Sequence, residues 1–301
     1  LLLEAAGGLV ELTARALDRD FAPVPLGITT SMAFENTIEQ TASANVIGVL
    51  PGGGLADEYV IYTAHHDHLG VGDPNPNGDP NDKIYNGARD NASGVGMVMA
   101  IGRAFAALPE RPRRSIMLLF VAAEEQGLLG SQYFAEHPTI PAGRIAANVN
   151  FDSGNIWGET SDLMFIGLGK SELDGVAETV AAHEHRVVRG DQFPDQGTYY
   201  RSDQFSFAKI GVPAFYFDGG TEFIGRPEGW GTTQIERYNE QNYHQPSDEL
   251  TDDWNFDGMV QDARFGFYAG YIVANETEMP QWNPGDEFEA ARKAALTQLG
   301  R

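Results

Sequence analysis

Ser115-Ile116-Met117-Leu118-Leu119-Phe120-Val121-Ala122-Ala123-Glu124-Glu125 is a nearly continuous apolar run that ends abruptly in two carboxylates. A short run without polar alternation reads as a strand buried on both faces, as in parallel sheets covered by helices. Outward from it, strands and helices alternate. Residues 59–64, 144–151, 163–167 and 212–217 read as further strands, while 92–108, 127–136, 172–183 and 256–275 have helical spacing. Residues 1–17 read as a helix, and 28–50 as short strands that close on the turn Pro51-Gly52-Gly53-Gly54. This alternation predicts an α/β fold: a single-domain αβα sandwich with a mixed, mostly parallel twisted sheet and helices on both faces. Two segments interrupt it. Residues 70–87, rich in Asp, Asn, Pro and Gly, and 219–242, rich in Gly, Glu and aromatics, read as long loops, which in compact domains are often functional.

The chain has 301 residues, 42% of them hydrophobic, enough for one large core. It reads as one catalytic domain over 1–301, with a helix and strands in 1–44 and a tail or helix in 276–301. No stretch of eighteen apolar residues predicts a membrane-spanning helix. The chain starts at Leu1 without a charged leader, so it reads as a mature or trimmed fragment whose signal peptide lay upstream. Forty-three acidic against twenty basic side chains give a formal charge of −23, which repels nucleic acid and anionic membranes. With no cysteine, disulfides and thiolate metal sites are excluded, so any metal has to be held by His and carboxylates.

The strand ends carry those residues. The first central strand runs into His65-His66-Asp67-His68. The loop after it ends in Gly87-Ala88-Arg89-Asp90-Asn91-Ala92-Ser93-Gly94. The apolar run ends in Glu124-Glu125, and the next strand in Asp152. Ligands in open α/β sheets bind outside the carboxyl ends of the strands, so these groups should converge. Carboxylates next to a core are costly unless paired or bound to a metal. Nitrogen and oxygen donors without sulfur suit zinc, and a shared carboxylate lets five residues serve two ions.

These segments, with Asn150-Phe151-Asp152 and Tyr243-His244-Gln245-Pro246-Ser247-Asp248, resemble in order and spacing the motifs of the co-catalytic zinc aminopeptidase and glutamate carboxypeptidase family, from about residue 45 to about 274. The resemblance implies two zinc ions per chain. His65 and Asp152 would bind one, Glu125 and His244 the other, and Asp90 both, with a cis peptide between Asp90 and Asn91. Glu124 would be the general base, and Asp67 would orient His65 through its second nitrogen. Tyr199 would hydrogen-bond the substrate carbonyl oxygen. One departure is Gln204, where many relatives carry His, a difference expected to touch substrate preference.

Plainer readings accompany several of these. Asp90 suits a cap for the helix that starts near Ala92. His66 and His68 read as surface or supporting residues. Tyr199 has a packing role as its alternative and Tyr200 as its competitor. Phe223 and Trp230 would either line a specificity pocket or pack. Residues 73–82 offer oxygen donors for calcium without the spacing of a calcium loop. The implied activity is hydrolysis of peptides by an exopeptidase, first an aminopeptidase. A carboxypeptidase or dipeptidase would need a cation for the terminal carboxylate, with Arg201 and Arg226 as candidates. A single-zinc cyclising transferase resembling glutaminyl cyclase, or a binding module on this scaffold, would lack part of the ligand set, which here is whole. Relatives with this ending are often exported, so periplasmic or secreted location is expected, with any protease-associated domain preceding Leu1. Side-chain specificity and oligomeric state are not encoded in these motifs.

Overall fold

The computed structural model of the chain describes residues 8–300 except 26, 28, 39, 76 and 77. Its strands are β1 (Val46–Leu50), β2 (Leu55–His65), β3 (Gly70–Val71), β4 (Ile84–Tyr85), β5 (Arg114–Val121), β6 (Ile145–Asn150), β7 (Asp162–Phe165), β8 (Val187–Gly190) and β9 (Ala214–Gly219). Its helices are α1 (Leu9–Arg15), α2 (Gly94–Ala106), α3 (Leu129–Glu136), α4 (Leu173–His183), α5 (Gln204–Lys209), α6 (Trp230–Gln241), α7 (Asp257–Asn275) and α8 (Glu289–Thr297). By contacts the chain divides into residues 1–42 and 43–301. The sheet and its helices belong to the second unit.

Seven strands form one sheet in the order β1-β5-β2-β6-β9-β7-β8. The centre is parallel, β5 with β2, β2 with β6 and β6 with β9, while β1 on β5 and β7 on β9 run antiparallel. The fold is thus α/β with a mixed, mostly parallel sheet. Side chains alternate along β2 as the two-residue period requires. Val60, Tyr62 and Ala64 enter a core cluster with Val98, Ile101, Phe265 and Val273 of α2 and α7. Ile61 faces the opposite side, with Met117, Leu119 and Val121 of β5 and Phe134 and Phe207 of α3 and α5. Helices cover both faces, which is why the central run carries no polar alternation.

Two devices press α7 onto the sheet. Tyr62, fully buried, donates its hydroxyl to the Gly266 carbonyl at 2.9 Å, and a Cβ at Gly270 would lie 1.8 Å from that hydroxyl oxygen. Arg114, at the start of β5, ties the last turn of α7 down. Its guanidinium donates to Glu58 at 2.8 Å and to the Val273 and Glu276 carbonyls at 2.7 Å each, satisfying acceptors that a helix end leaves open.

Some expectations change. The helix expected over 1–17 is seen as α1; residues 1–7 lie outside the described ones. The strands expected before Val46 do not form among the described residues, and Met32, Phe34 and Ile38 are exposed. The 70–87 loop contains a short hairpin, β3 with β4. The 219–242 loop contains α6, started by left-handed Gly229 and anchored by buried Tyr238. The expected tail contains α8, whose Arg292 donates to the Ile145 carbonyl at 2.8 Å.

Candidate active site

The parallel strands β5, β2 and β6 end side by side, and their following residues meet. His65 is the last residue of β2 and is buried. Its Nε2 lies 3.0 Å from Asp90 Oδ1 and 3.1 Å from Asp152 Oδ1. Asp152 follows β6 and accepts the Ser202 hydroxyl at 2.5 Å. Ser202 accepts from Asn150, which also bonds Gln204, so a buried polar chain fixes Asp152. Gln204 is fully buried and donates to the Tyr199 carbonyl. The departure at Gln204 therefore lies among the buried groups that hold Asp152 in place.

At the end of β5 the chain turns through Ala123, left-handed at φ 57°. A non-glycine residue there is strained by roughly 1–2 kcal/mol. The turn is held by the Ala123 N–H donating to Asp67 Oδ2 at 2.7 Å and by Leu128 N–H donating back to the Glu124 carbonyl. It separates the two neighbouring glutamates. Glu125 points to His244, with Nε2 at 2.9 Å, and to His68, with Nδ1 at 2.7 Å. Glu124 lines the cleft instead. Asp90 reaches both groups, since His244 Nε2 is 3.4 Å from its Oδ2. The Asp90–Asn91 peptide is cis. The backbone N–H groups of Arg89 and Asp90 both donate to the buried carboxylate of Asp248.

Three groups of donor atoms lie within 4.8 Å of one another: His65, Asp90 and Asp152; His68, Asp90 and Glu125; and His65, Glu124 and Glu125, the first two sharing Asp90. His244 adjoins the second. These atoms are close but poorly aligned for one another. Asp90 Oδ1, Glu125 Oε1, His68 Nδ1 and His244 Nε2 are buried without a hydrogen-bond partner. Lone pairs that converge without pairing fit cations bound between them, and the donor set of imidazole and carboxylate suits zinc. Charge is already shared in the cluster. Burial alone would raise Asp90, yet His244 and His65 hold its carboxyl well below the usual range. Burial would lower His244, yet Asp90 and Glu125 push it up to about 9. Glu124 is pushed up to about 9, by burial first and then by Asp152, Asp203 and Glu125.

Four residues differ from expectation. Asp67 reaches His65 through its carbonyl, 3.0 Å from Nδ1, and its carboxylate holds Ala123 instead. Tyr199 does not line the cleft: its neighbours in the short 3-10 turn, Thr198 and Tyr200, do, while its own ring packs among Ile166, Trp282 and Phe288. Tyr243, adjacent to His244, lines the cleft on both sides of Glu124 and was passed over although the motif contains it. His68 was read as a supporting residue and stands within the donor cluster. Its spacing from His65 was the available signal. His66 is exposed and bonds the Ala44 carbonyl. Arg226 stacks on Trp230, which meets Phe223, and none of the three lines the cleft. In the acidic loop, Asp79 and Asp82 hold the local N–H groups of Asn81 and Ile84, and no donor triad forms among the described residues.

Two cavities meet at Glu124, Tyr243 and Arg201. One, of about 320 Å³, is walled by Met164, Ile166, Phe193 and Ile235 and carries Asp152, Asp191 and Asp218. Its Arg89 is committed, donating to the Gly154 carbonyl, 3.7 Å from Asp218 and over the Tyr238 ring. The other, of about 440 Å³, is formed by Leu128, Tyr200, Phe205 and Lys209 beside Glu125 and His244.

A family model described as Peptidase family M28 matches residues 45–265. Aminopeptidase NAALADL1 of Mus musculus is 34% identical over 116 residues, 37% of this chain and 14% of its own length. Aminopeptidase YwaD of Bacillus subtilis (strain 168) is 25% identical over 221 residues, 72% of this chain and 41% of its own length. Among solved structures, the LapA aminopeptidase of Legionella pneumophila has the same fold, with a TM-score of 0.56 at 21% identity over 78% of this chain and 56% of that one. The chain thus spans less than two thirds of each of these proteins.

Proposed function

The chain belongs to peptidase family M28, and from that premise we propose that it is a zinc-dependent aminopeptidase that holds two zinc ions and releases the amino-terminal residue of peptides. The observation that carries the proposal is the pair of donor groups sharing Asp90, with Glu124 beside them at the head of an acid-lined cavity. His65, Asp90 and Asp152 would hold one ion, and Asp90, Glu125 and His244 the other, with His68 against Glu125. Bound zinc would supply Lewis acidity toward the scissile carbonyl and the attacking water.

The chain's own residues do the rest. Glu124, which is not needed as a ligand, accepts the water's proton at its carboxylate and returns it to the leaving nitrogen. Its neutral-favouring surroundings in the metal-free cluster are offset once cations balance Asp152 and Glu125. The Tyr243 hydroxyl is the donor available to the developing oxyanion. With Asp152 on the metal, Asp191 and Asp218 give the first cavity the charge that a free ammonium group seeks, which favours an amino terminus over a carboxyl terminus there. Export to the periplasm or outside the cell belongs to the same proposal and rests on the family resemblance.

The test is Glu124→Gln in protein loaded with zinc. Turnover of aminoacyl substrates should fall about 10²–10⁴-fold, the range of a lost general base, with zinc content unchanged. Full activity in the variant would rule out the assigned base. Cleavage of N-acetylated peptides with no action on free amines would overturn the aminopeptidase reading.

A further inference from the structure

The two cavities differ in charge. Beyond the donor cluster, the first adds the carboxylates Asp191 and Asp218. The second adds Lys209 and no further carboxylate, while Arg201 stands where the two meet and the first cavity's Arg89 is committed to its own partners. Several other basic side chains are engaged with acids: Arg114 with Glu58, Arg186 with Asp262, Lys170 with Asp286, Arg264 with Glu184. Among the described residues, no carboxylate forms an ion pair with Arg201 or Lys209, in a chain of charge −23. Lys209 rests its ammonium 5.0 Å over the Phe205 ring, a wall of the same cavity, and Arg201 makes one long contact, 3.5 Å to the Gln196 carbonyl. Two cations gathered in one cavity beside the general base offer a site for an anion.

We propose that the second cavity receives the leaving side of the substrate and binds its free carboxyl terminus through Lys209 and Arg201, so that the preferred substrates are di- and tripeptides. This rests on the aminopeptidase reading, which sends the amino terminus into the acid-lined cavity. A peptide then lies along the field, ammonium toward Asp191 and Asp218, carboxylate toward Lys209. Extended chain advances at most about 3.3–3.6 Å per residue, so a carboxylate one or two residues past the scissile bond stays within a cavity of this size, and a longer peptide carries it beyond. Leu128 and Phe205 give the intervening side chain an apolar wall.

The test compares zinc-loaded protein on Leu-Gly-Gly and its C-terminal amide. One charge-assisted hydrogen bond is worth about tenfold or more, so kcat/KM should favour the free acid by about that factor, chiefly through KM. In Lys209→Met the acid-to-amide ratio should fall toward one, and Lys209→Arg should restore it. Equilibrium binding of both peptides to the Glu124→Gln protein gives the same ratio without turnover. Equal rates and equal binding of acid and amide, with N-acetylated peptides still refused, overturn the carboxylate site and leave the aminopeptidase reading intact. Cleavage of N-acetylated peptides in preference to free amines overturns both. A ratio unchanged in Lys209→Met removes Lys209 and overturns the proposal.

Discussion

Asp248 is the residue on which the geometry of the shared ligand depends, and Asp248→Ala tests this. Its carboxylate is buried and accepts the Arg89 N–H at 3.1 Å and the Asp90 N–H at 3.0 Å. Removing it strands two buried donors, each costing about 1–3 kcal/mol, or about 2–6 kcal/mol together. A polar cavity of about 250 Å³ reaches Asp248 beside Trp157 and Tyr238, and water entering there draws the loss to about 2 kcal/mol. At about 2–4 °C per kcal/mol for a chain of this size, the melting temperature should drop by about 4–8 °C. The larger effect is local. Freed N–H groups let the Asp90 carboxylate leave its position between His65 and His244. Loss of such a support costs about 10–100-fold in metal affinity. Thermal unfolding measures the first effect, and competition against a chelator of known affinity the second. Asp248→Asn keeps one acceptor oxygen and should fall between wild type and Ala on both. Glu249→Ala, whose carboxylate bonds Asn86 at the surface, should stay within about 0.5 kcal/mol. A protein lacking Asp248 that melts early but binds zinc with wild-type affinity would refute the reasoning: Asp248 would then stabilise the fold without placing Asp90.

Zinc binding should expel protons. In the metal-free protein His244 and Glu124, both pushed up to about 9, hold protons at pH 7.5. A ligating imidazole has to be neutral, so calorimetry in buffers of different ionisation heat should show about one proton or more released, a release that fades as pH rises through about 9; a binding heat independent of buffer would contradict this. Chelation should lower the melting temperature, since an ion at one hundred times its dissociation constant stabilises by about 2.7 kcal/mol, and equal melting in zinc and in chelator would mean that the cluster holds no ion tightly. Gly270→Ala should cost roughly 3 kcal/mol by forcing α7 off Tyr62, and Tyr62→Phe in the same chain should recover part of it; additive losses in the double variant would place the clash elsewhere.

The strand-end acids and histidines were legible because their positions follow from the strand pattern alone. An apolar run that stops in Glu124-Glu125 puts those residues at a sheet's carboxyl edge whatever the loops do. Direction past the strand end is a different quantity. Tyr199 and Tyr243 are both tyrosines in loops near the site, and their roles separate only because the short turn at 198–200 tucks one ring against Trp282 and Phe288. Helix α6 was hidden for a related reason: its apolar positions are few, and the glycines around it read as loop. His68 belonged to a visible motif, but its approach to Glu125 depends on the turn after β2, which no periodicity describes.

That turn is one instance of a general property of this site. Of the non-glycine residues with left-handed backbone among the described residues, Ala123, Leu128, Ser153 and His244 sit at the motifs and His185 lies elsewhere. A parallel strand delivers its last side chain along the sheet, whereas a shared cluster needs donors aimed inward from three strands and a loop. Sharp left-handed turns supply that redirection, at a cost of order 1–2 kcal/mol for each residue that lacks glycine's freedom. The cost is carried by the buried sheet beneath, where Val60, Ile61, Met117 and Leu119 leave β2 and β5 no room to move. Three of these corners lie at site residues themselves: His244 is a donor, Ala123 precedes the base Glu124, and Ser153 follows the donor Asp152. Residues chosen for ligand placement leave no turn signal in the sequence, so the ligand identities could be read while the corners that aim them could not.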